Sequence, residues 1–279
     1  MIFMVWVSCG IVKAEKAGTE ITGGEQETKE EKAAEEKAAE GNKWLDEYPK
    51  HVGLTWGADA QIVGNYLWRG LYVGGLSLQA DANVGYGGAF IDLWGNIGPN
   101  SWKFNKLGPE LDVSVGFQRW GFKVLCMHMF YFDGWENVTS EIRVGYKVSS
   151  KLPLSILWCT RFWGRDFYDG EDGEKHRAYS TYIELGYDFR LPWEMMLAAR
   201  LGMTPWKSLY TGFKGEFAVV NIELKLSKVW QLTDYCGLQA HAQLMLNPWR
   251  IDKENVKWDV GNPWDQKLNF SLGVGVVFN

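Results

Sequence analysis

The chain has 279 residues, enough for one large all-β domain or two ordinary ones, and its 16 tryptophans, 32 glycines and only 8 prolines suit strands and turns better than helices. A net charge of −5, with no basic run able to neutralise phosphates, excludes nucleic acid as a partner. Beyond the first fourteen residues the cysteines are Cys126, Cys159 and Cys236, odd in number and far apart, which excludes a zinc pattern or a small disulfide scaffold.

Residues 1–14 form an apolar run of signal-peptide length that ends in Val12-Lys13-Ala14, small enough for signal peptidase, although a positive n-region is missing. A lipoprotein reading through Cys9 is weaker, because Trp6 stands where a small aliphatic residue is wanted. Export is the expectation. Residues 15–50 are crowded with Glu, Lys and Ala and too poor in apolar residues to bury a core. They are expected to form a charged low-complexity arm in the periplasm, helical or disordered.

From Gly53 the pattern turns to period two and keeps it to the C-terminus, so residues 51–279 are expected to form one domain. In the first strand Leu54, Trp56, Ala58, Ala60, Ile62, Gly64, Tyr66 and Trp68 share one face, with Thr55, Asp59, Gln61 and Asn65 on the other. The alternation recurs from Ser77, Glu110, Glu141, Tyr179, Met195, Val219, Gly237 and Lys267, and less clearly in AFIDLWGN, FKVLCMHMFYF and LSILWCTRFWG. That makes about twelve strands of roughly 9 to 12 residues, the length a tilted strand needs to cross a bilayer.

Connections alternate between short ones, such as Gly87-Gly88 and Arg119 to Gly121, and long polar ones, such as RDFYDGEDGEKHR. Short periplasmic turns and long outer loops are the habit of transmembrane barrels. A soluble β-sandwich would instead turn the apolar faces inward. Two features favour the inverted arrangement: glycines on the polar faces, suited to a crowded curved interior, and aromatics at the ends of the apolar ones. The expected fold is all-β, a transmembrane antiparallel up-and-down barrel of about twelve strands. The aromatic girdle is assigned to Trp56, Tyr66, Trp68, Tyr86, Phe117, Tyr146, Tyr187 and Phe278. Tyr66 and Trp68 would face lipid headgroups at the top of the first strand, with Asn65 and Arg69 turned toward the lumen.

Tyr66-Leu67-Trp68-Arg69-Gly70, followed by a polar loop, a strand, a glycine turn and a strand ending in Trp94-Gly95, resembles the start of the TorF-type porin family of Gram-negative outer-membrane barrels. YSTYIELGY, LGMTPWKSLY and FAVVNIELKLSKVWQLTD are similar to its Bacteroidota branch. The resemblance covers about Trp56 to Phe278. It implies an outer-membrane barrel and a pore, with no catalytic residues; no cofactor is expected. The chain departs from the habit of ending on an aromatic residue read by the barrel assembly machinery, since Asn279 follows Phe278.

With polar faces inward, the lumen is expected to be lined by Asp59, Asn65, Asp81, Asp92, Asp112, Glu141, Arg143, Arg161, Glu184, Asp188, Arg200, Glu223, Lys225 and His241. These charges either pair into a plug or line a narrow path for small polar solutes, with the termini periplasmic and lipid around the wall. A lipid-acting enzyme would need serine and histidine within hydrogen-bond reach on the lipid face. His128 is the one histidine able to face lipid, and Leu125, Met127, Met129 and Tyr131 make a better outer face, so His128 is turned inward. Trp102, Trp135, Trp206, Trp249, Trp258 and Trp264 fall in long loops, where they pack loop on loop or bind a partner in an adhesive barrel. His51 and His176 fall in the arm and a loop, so no metal cluster is expected.

Overall fold

The structure, a computed structural model, describes residues 53–98, 109–132, 138–149, 151–215, 217–249 and 268–278. The expected signal peptide and charged arm lie outside the described residues, as do Trp102, Trp135, Trp258 and Trp264. In chain order the strands are β1 (Leu54–Val63), β2 (Tyr66–Trp68), β3 (Leu71–Gly74), β4 (Ser77–Tyr86), β5 (Ala89–Ile97), β6 (Glu110–Arg119), β7 (Phe122–Tyr131) and β8 (Val138–Lys147). They continue with β9 (Leu154–Gly164), β10 (Phe167–Asp169), β11 (Lys175–Arg177), β12 (Thr181–Leu191), β13 (Met195–Thr204), β14 (Ala218–Gln231), β15 (Cys236–Leu246) and β16 (Leu268–Phe278).

Among the described residues, twelve strands close into one barrel in the order β1-β16-β15-β14-β13-β12-β9-β8-β7-β6-β5-β4. Every neighbouring pair is antiparallel, and β1 meets β16 through Ala58↔Phe278 to Val63↔Gly273. Closure leaves no unpaired edge, the condition for crossing a membrane with strands. Among these residues no helix is long and apolar enough to cross one.

The outward face decides between a transmembrane and a soluble barrel. Leu54, Ile62, Leu78, Ile91, Leu93, Val115, Val124, Ile142, Ile156, Trp158, Leu201, Leu224, Leu244, Leu272 and Val274 are all exposed. An apolar surface this continuous needs lipid, because in water it would cost about 25 cal/mol for each Å² left uncovered. Gln61, Asp81, Asp92, Asp112, Glu141, Arg161, Glu184 and Glu223 are buried on inward positions of the same strands. The apolar faces therefore point out and the polar ones in.

Two expectations are overturned. The first strand does not run to Trp68. It stops at Val63, where Asn65 turns the chain by donating its Nδ2 to the Phe270 carbonyl (2.6 Å) and its backbone N–H to Ser271 Oγ (3.1 Å). Tyr66 and Trp68 then enter the barrel and are buried, so neither belongs to the lipid girdle. The alternation misleads because β2 is also a strand, in phase with β1 across the break. The second correction concerns β7, where Leu125, Met127 and Met129 pack inward as an apolar cluster with Phe90 and Tyr131, while His128 is exposed on the outer wall. Both faces of that strand are apolar, and the inward needs of Lys123 set its phase rather than hydrophobicity.

Candidate functional site

The connection from β1 to β4 folds into the barrel as the hairpin β2–β3 and closes the lumen toward the long-loop end. Arg69 holds it there. Its side chain is wholly buried and donates as a fork to Glu141 on β8, Nη1 to Oε2 at 2.7 Å and Nη2 to Oε1 at 2.8 Å. Nη1 also donates to the Tyr210 hydroxyl (2.6 Å) and Nη2 to Cys159 Sγ on β9 (2.8 Å). The guanidinium lies 5.1, 4.8 and 6.0 Å from the ring centres of Trp68, Tyr182 and Tyr210. A planar, permanently charged fork suits this cage, where lysine would lose the two-point match to the carboxylate and the flat stacking on the rings.

Each wall of the cage has a local cause. Tyr210 is carried by a short 3-10 turn, Leu209–Thr211, in the β13–β14 connection. That turn is tied to its neighbour by the Leu209 N–H donating to Ser180 Oγ (2.8 Å), while Ser180 in turn donates to Asp166 (2.5 Å). Tyr182 on β12 swings its ring across the lumen because Gly202 stands beside it on β13, where any side chain would overlap the phenol. Gly70, at φ +83, forms the hairpin tip against β14, and a β-carbon there would overlap the Val220 carbonyl. Its N–H donates to Met245 Sδ (3.2 Å) and its carbonyl accepts from Asn247 Nδ2 (3.0 Å), so the tip is held from β15 too.

Burial divides the lumen along its axis. Inward side chains of the long-loop half are covered, including Glu141, Arg161, Tyr182 and Asn221. Those of the short-turn half, Asp59, Asn83, Lys123, Lys147, Asp188, Arg200, Lys225 and His241, are only half-buried. Exposure within the lumen therefore falls from the short turns toward the hairpin. A cavity of ≈ 30 Å³, enough for about one water, survives beside it among Gln61, Asn65, Gln79, Glu223, Lys225 and His241.

The expected lumen residues are brought together unevenly. Arg143 pairs with Glu141 (2.6 Å), Lys147 with Asp188 (3.1 Å), and Arg200 with Asp188 (2.5 Å) and Glu184 (3.6 Å). Arg161 lies over Trp68 at 5.4 Å. Asp59, Asp81, Asp92 and Asp112 stand on the opposite wall. Asn65 sits at the corner where the hairpin leaves β1. Trp56, Tyr86, Phe117, Tyr146, Tyr187 and Phe278 occupy outward positions in the short-turn halves of their strands. Sequence reasoning missed Cys159, Tyr182 and Tyr210 as walls of the cage, since tyrosine or cysteine at an inward position carries no local signal of a guanidinium arriving from another loop.

His128 Nδ1 lies 2.8 Å from Ser140 Oγ on the outer wall, so serine and histidine do meet there. Ser140 is wholly covered, however, and a lipid ester cannot reach its oxygen. Its hydroxyl serves to satisfy an imidazole that faces lipid. Ser140→Ala is expected to destabilise the barrel by about 1–3 kcal/mol, and His128→Phe by less, in reversible urea unfolding in lipid vesicles. Equal losses would show that the pair is not what Ser140 contributes.

Among the loop residues, Trp206 Nε1 donates to the Tyr179 carbonyl (3.1 Å) and Trp249 packs against the hairpin cluster, so both act in loop-on-loop packing. In the β10–β11 hairpin His176 Nε2 lies 2.8 Å from Asp172 and, with the Glu174 N–H, holds that carboxyl below the usual carboxylate range. Among the described residues no group of His, Cys, Asp and Glu fits a metal ion.

A scan against protein-family models finds no match, and a search of curated proteins finds none. Among solved structures the chain is similar to the NanC porin, at 11% identity over 81% of this chain and 100% of that one, with a TM-score of 0.45. It is similar to the KdgM porin at 9% identity over 80% and 98%, with a TM-score of 0.43. It is also similar to the COG4313 outer membrane channel from Pseudomonas putida F1, at 13% identity over 82% and 96%, with a TM-score of 0.41. The fold assignment rests on the chain's own strand pairing and outward apolar faces.

Proposed function

We propose that the protein is a narrow outer-membrane channel for small polar solutes or ions, closed in this conformation by the hairpin β2–β3. The observation that carries this reading is the division of the lumen: a polar, water-accessible half ends at a hairpin held by one buried ion pair. A purely structural wall would have no need of a hydrated lumen. The short turns and both ends of the barrel face the periplasm in this reading, and the barrel assembly machinery inserts it. Membership of the TorF-type porins is part of the proposal, and the motif most specific to that resemblance, Tyr66 to Gly70, is the one that forms the closure. No catalysis is assigned.

The second reading, a plugged barrel that acts through its loops, is favoured by the enclosure of Arg69 on every side. Planar-bilayer recording separates the two. Wild-type protein is expected to open rarely, whereas Arg69→Ala and Gly70→Val, each checked for strand content by circular dichroism, give frequent current steps. Folded variants that stay silent at every voltage and salt concentration would leave only the plugged barrel.

A further inference from the structure

The charges inside the barrel are segregated by wall. The basic side chains on β8, β9, β13 and β14 share their stretch of wall with acids, and each ion pair found in the lumen among the described residues lies there. The acids of β1, β4, β5 and β6 are arranged differently. Asp59 and Asp81 are register partners across β1 and β4, and Asn83, two residues on, pairs with Asp92. Asp112 pairs with Trp94, next along β5, and Glu110 follows it toward the hairpin. The five carboxylates thus form an oblique ribbon from the hydrated half of the lumen to Tyr66, whose hydroxyl donates to Glu110 at 3.1 Å.

None of the five is in an ion pair with Lys or Arg among the described residues. Neutral groups serve some of them: Asn83 Nδ2 donates to Asp81 (3.4 Å) and Gln239 Nε2 to Asp59 (3.4 Å). Asp92 and Asp112 are more than nine-tenths buried, and one carboxylate oxygen of each, Oδ1, has no hydrogen-bond partner. Lys123 and Arg143 face the ribbon from β7 and β8, and Arg143 is already bound to Glu141. A buried carboxylate oxygen without a donor is costly unless a mobile cation or a proton serves it.

We propose that this ribbon is a cation track that makes the lumen selective for small monovalent cations and ammonium-bearing solutes over anions. The inference rests on the channel reading for its role in transport, while binding to the track does not require the hairpin to move, because the track begins at Asp59, which is only half-buried in the short-turn half of the lumen. Confinement between low-dielectric walls strengthens the field of the five acids, none of them held in an ion pair among the described residues, over that of the bases that face them.

Flow dialysis of rubidium against the full-length wild-type protein in detergent, at low ionic strength, tests binding. Retention is expected to fall about tenfold in Asp81→Asn/Asp92→Asn/Asp112→Asn. It should hold in Asp188→Asn, which removes the same kind of charge from the paired wall. Equal rubidium retention by wild type and the triple variant overturns the proposal. In the Arg69→Ala channel, the reversal potential in a potassium chloride gradient should favour potassium, and the triple variant should lose that preference. Steps that pass chloride as readily as potassium would overturn the inference while keeping the channel. Rubidium bound without current in any variant would keep the track and remove the channel.

Discussion

Cys159 becomes accessible to a water-soluble maleimide when Arg69 is replaced by alanine. In the wild type its thiol is wholly buried and accepts from Arg69, so labelling requires the hairpin to leave. Both partners of the Arg69–Glu141 pair are removed from water, and breaking such a pair costs about 3–5 kcal/mol. Glu141 keeps Arg143 at 2.6 Å, which places the loss at about the lower end, 3 kcal/mol. The open population, and with it the labelling rate, should therefore rise on the order of 100-fold. Arg69→Lys should fall between, because it keeps the charge and loses the fork. The measurement uses a background with Cys9, Cys126 and Cys236 replaced by alanine. An unchanged rate in Arg69→Ala would mean that Gly70, Asn247 and the apolar cluster hold the hairpin without the ion pair.

The second large effect lies on the outer wall. Leu224 is exposed near the middle of β14, where the barrel meets hydrocarbon. Leu224→Arg is expected to destabilise the folded protein in lipid vesicles by about 2–4 kcal/mol, since an arginine at mid-membrane depth has no partner. Trp230, exposed near the short-turn end of the same strand, should tolerate arginine at a cost of about 0–1 kcal/mol. The contrast between the two sites is the test. Equal costs would mean that the outer face does not sample a depth-dependent medium, and the transmembrane assignment would fail with it.

Inside the lumen the same substitutions have different meanings. Asp188 accepts from both Lys147 and Arg200, so its charge is shared within a local network. Asp92, whose Oδ1 has no hydrogen-bond partner, is in no ion pair with Lys or Arg among the described residues. An inventory of lumen charges by sign alone would treat these two aspartates as equivalent, whereas their partners set them apart.

The alternation of Leu54, Trp56, Ile62, Leu78 and Leu93 with Asp59, Asp81 and Asp92 was legible because a strand shows successive side chains to opposite faces. Where one face is apolar and the other charged, that local rule has a single solution. The same rule failed at FKVLCMHMFYF, where Leu125, Met127 and Met129 alternate with Val124, Cys126 and His128 and both faces are apolar. It also failed at Tyr66 and Trp68, for an opposite reason: the pattern was clear, but it belonged to a second strand folded back inside the first.

What the sequence by itself determined was the period, the strand number, the alternation of short and long connections, and hence a closed barrel with its apolar faces turned out. Those properties depend on neighbours along the chain. Only the tertiary structure decided that the lumen is shut at one end and which charges are neutralised. Arg69 meets Glu141, Cys159, Tyr182 and Tyr210 across up to 141 positions of sequence, and no local pattern encodes that meeting. It follows from closure of the barrel, which brings distant strands around one low-dielectric space where an unpaired guanidinium would be too costly to leave.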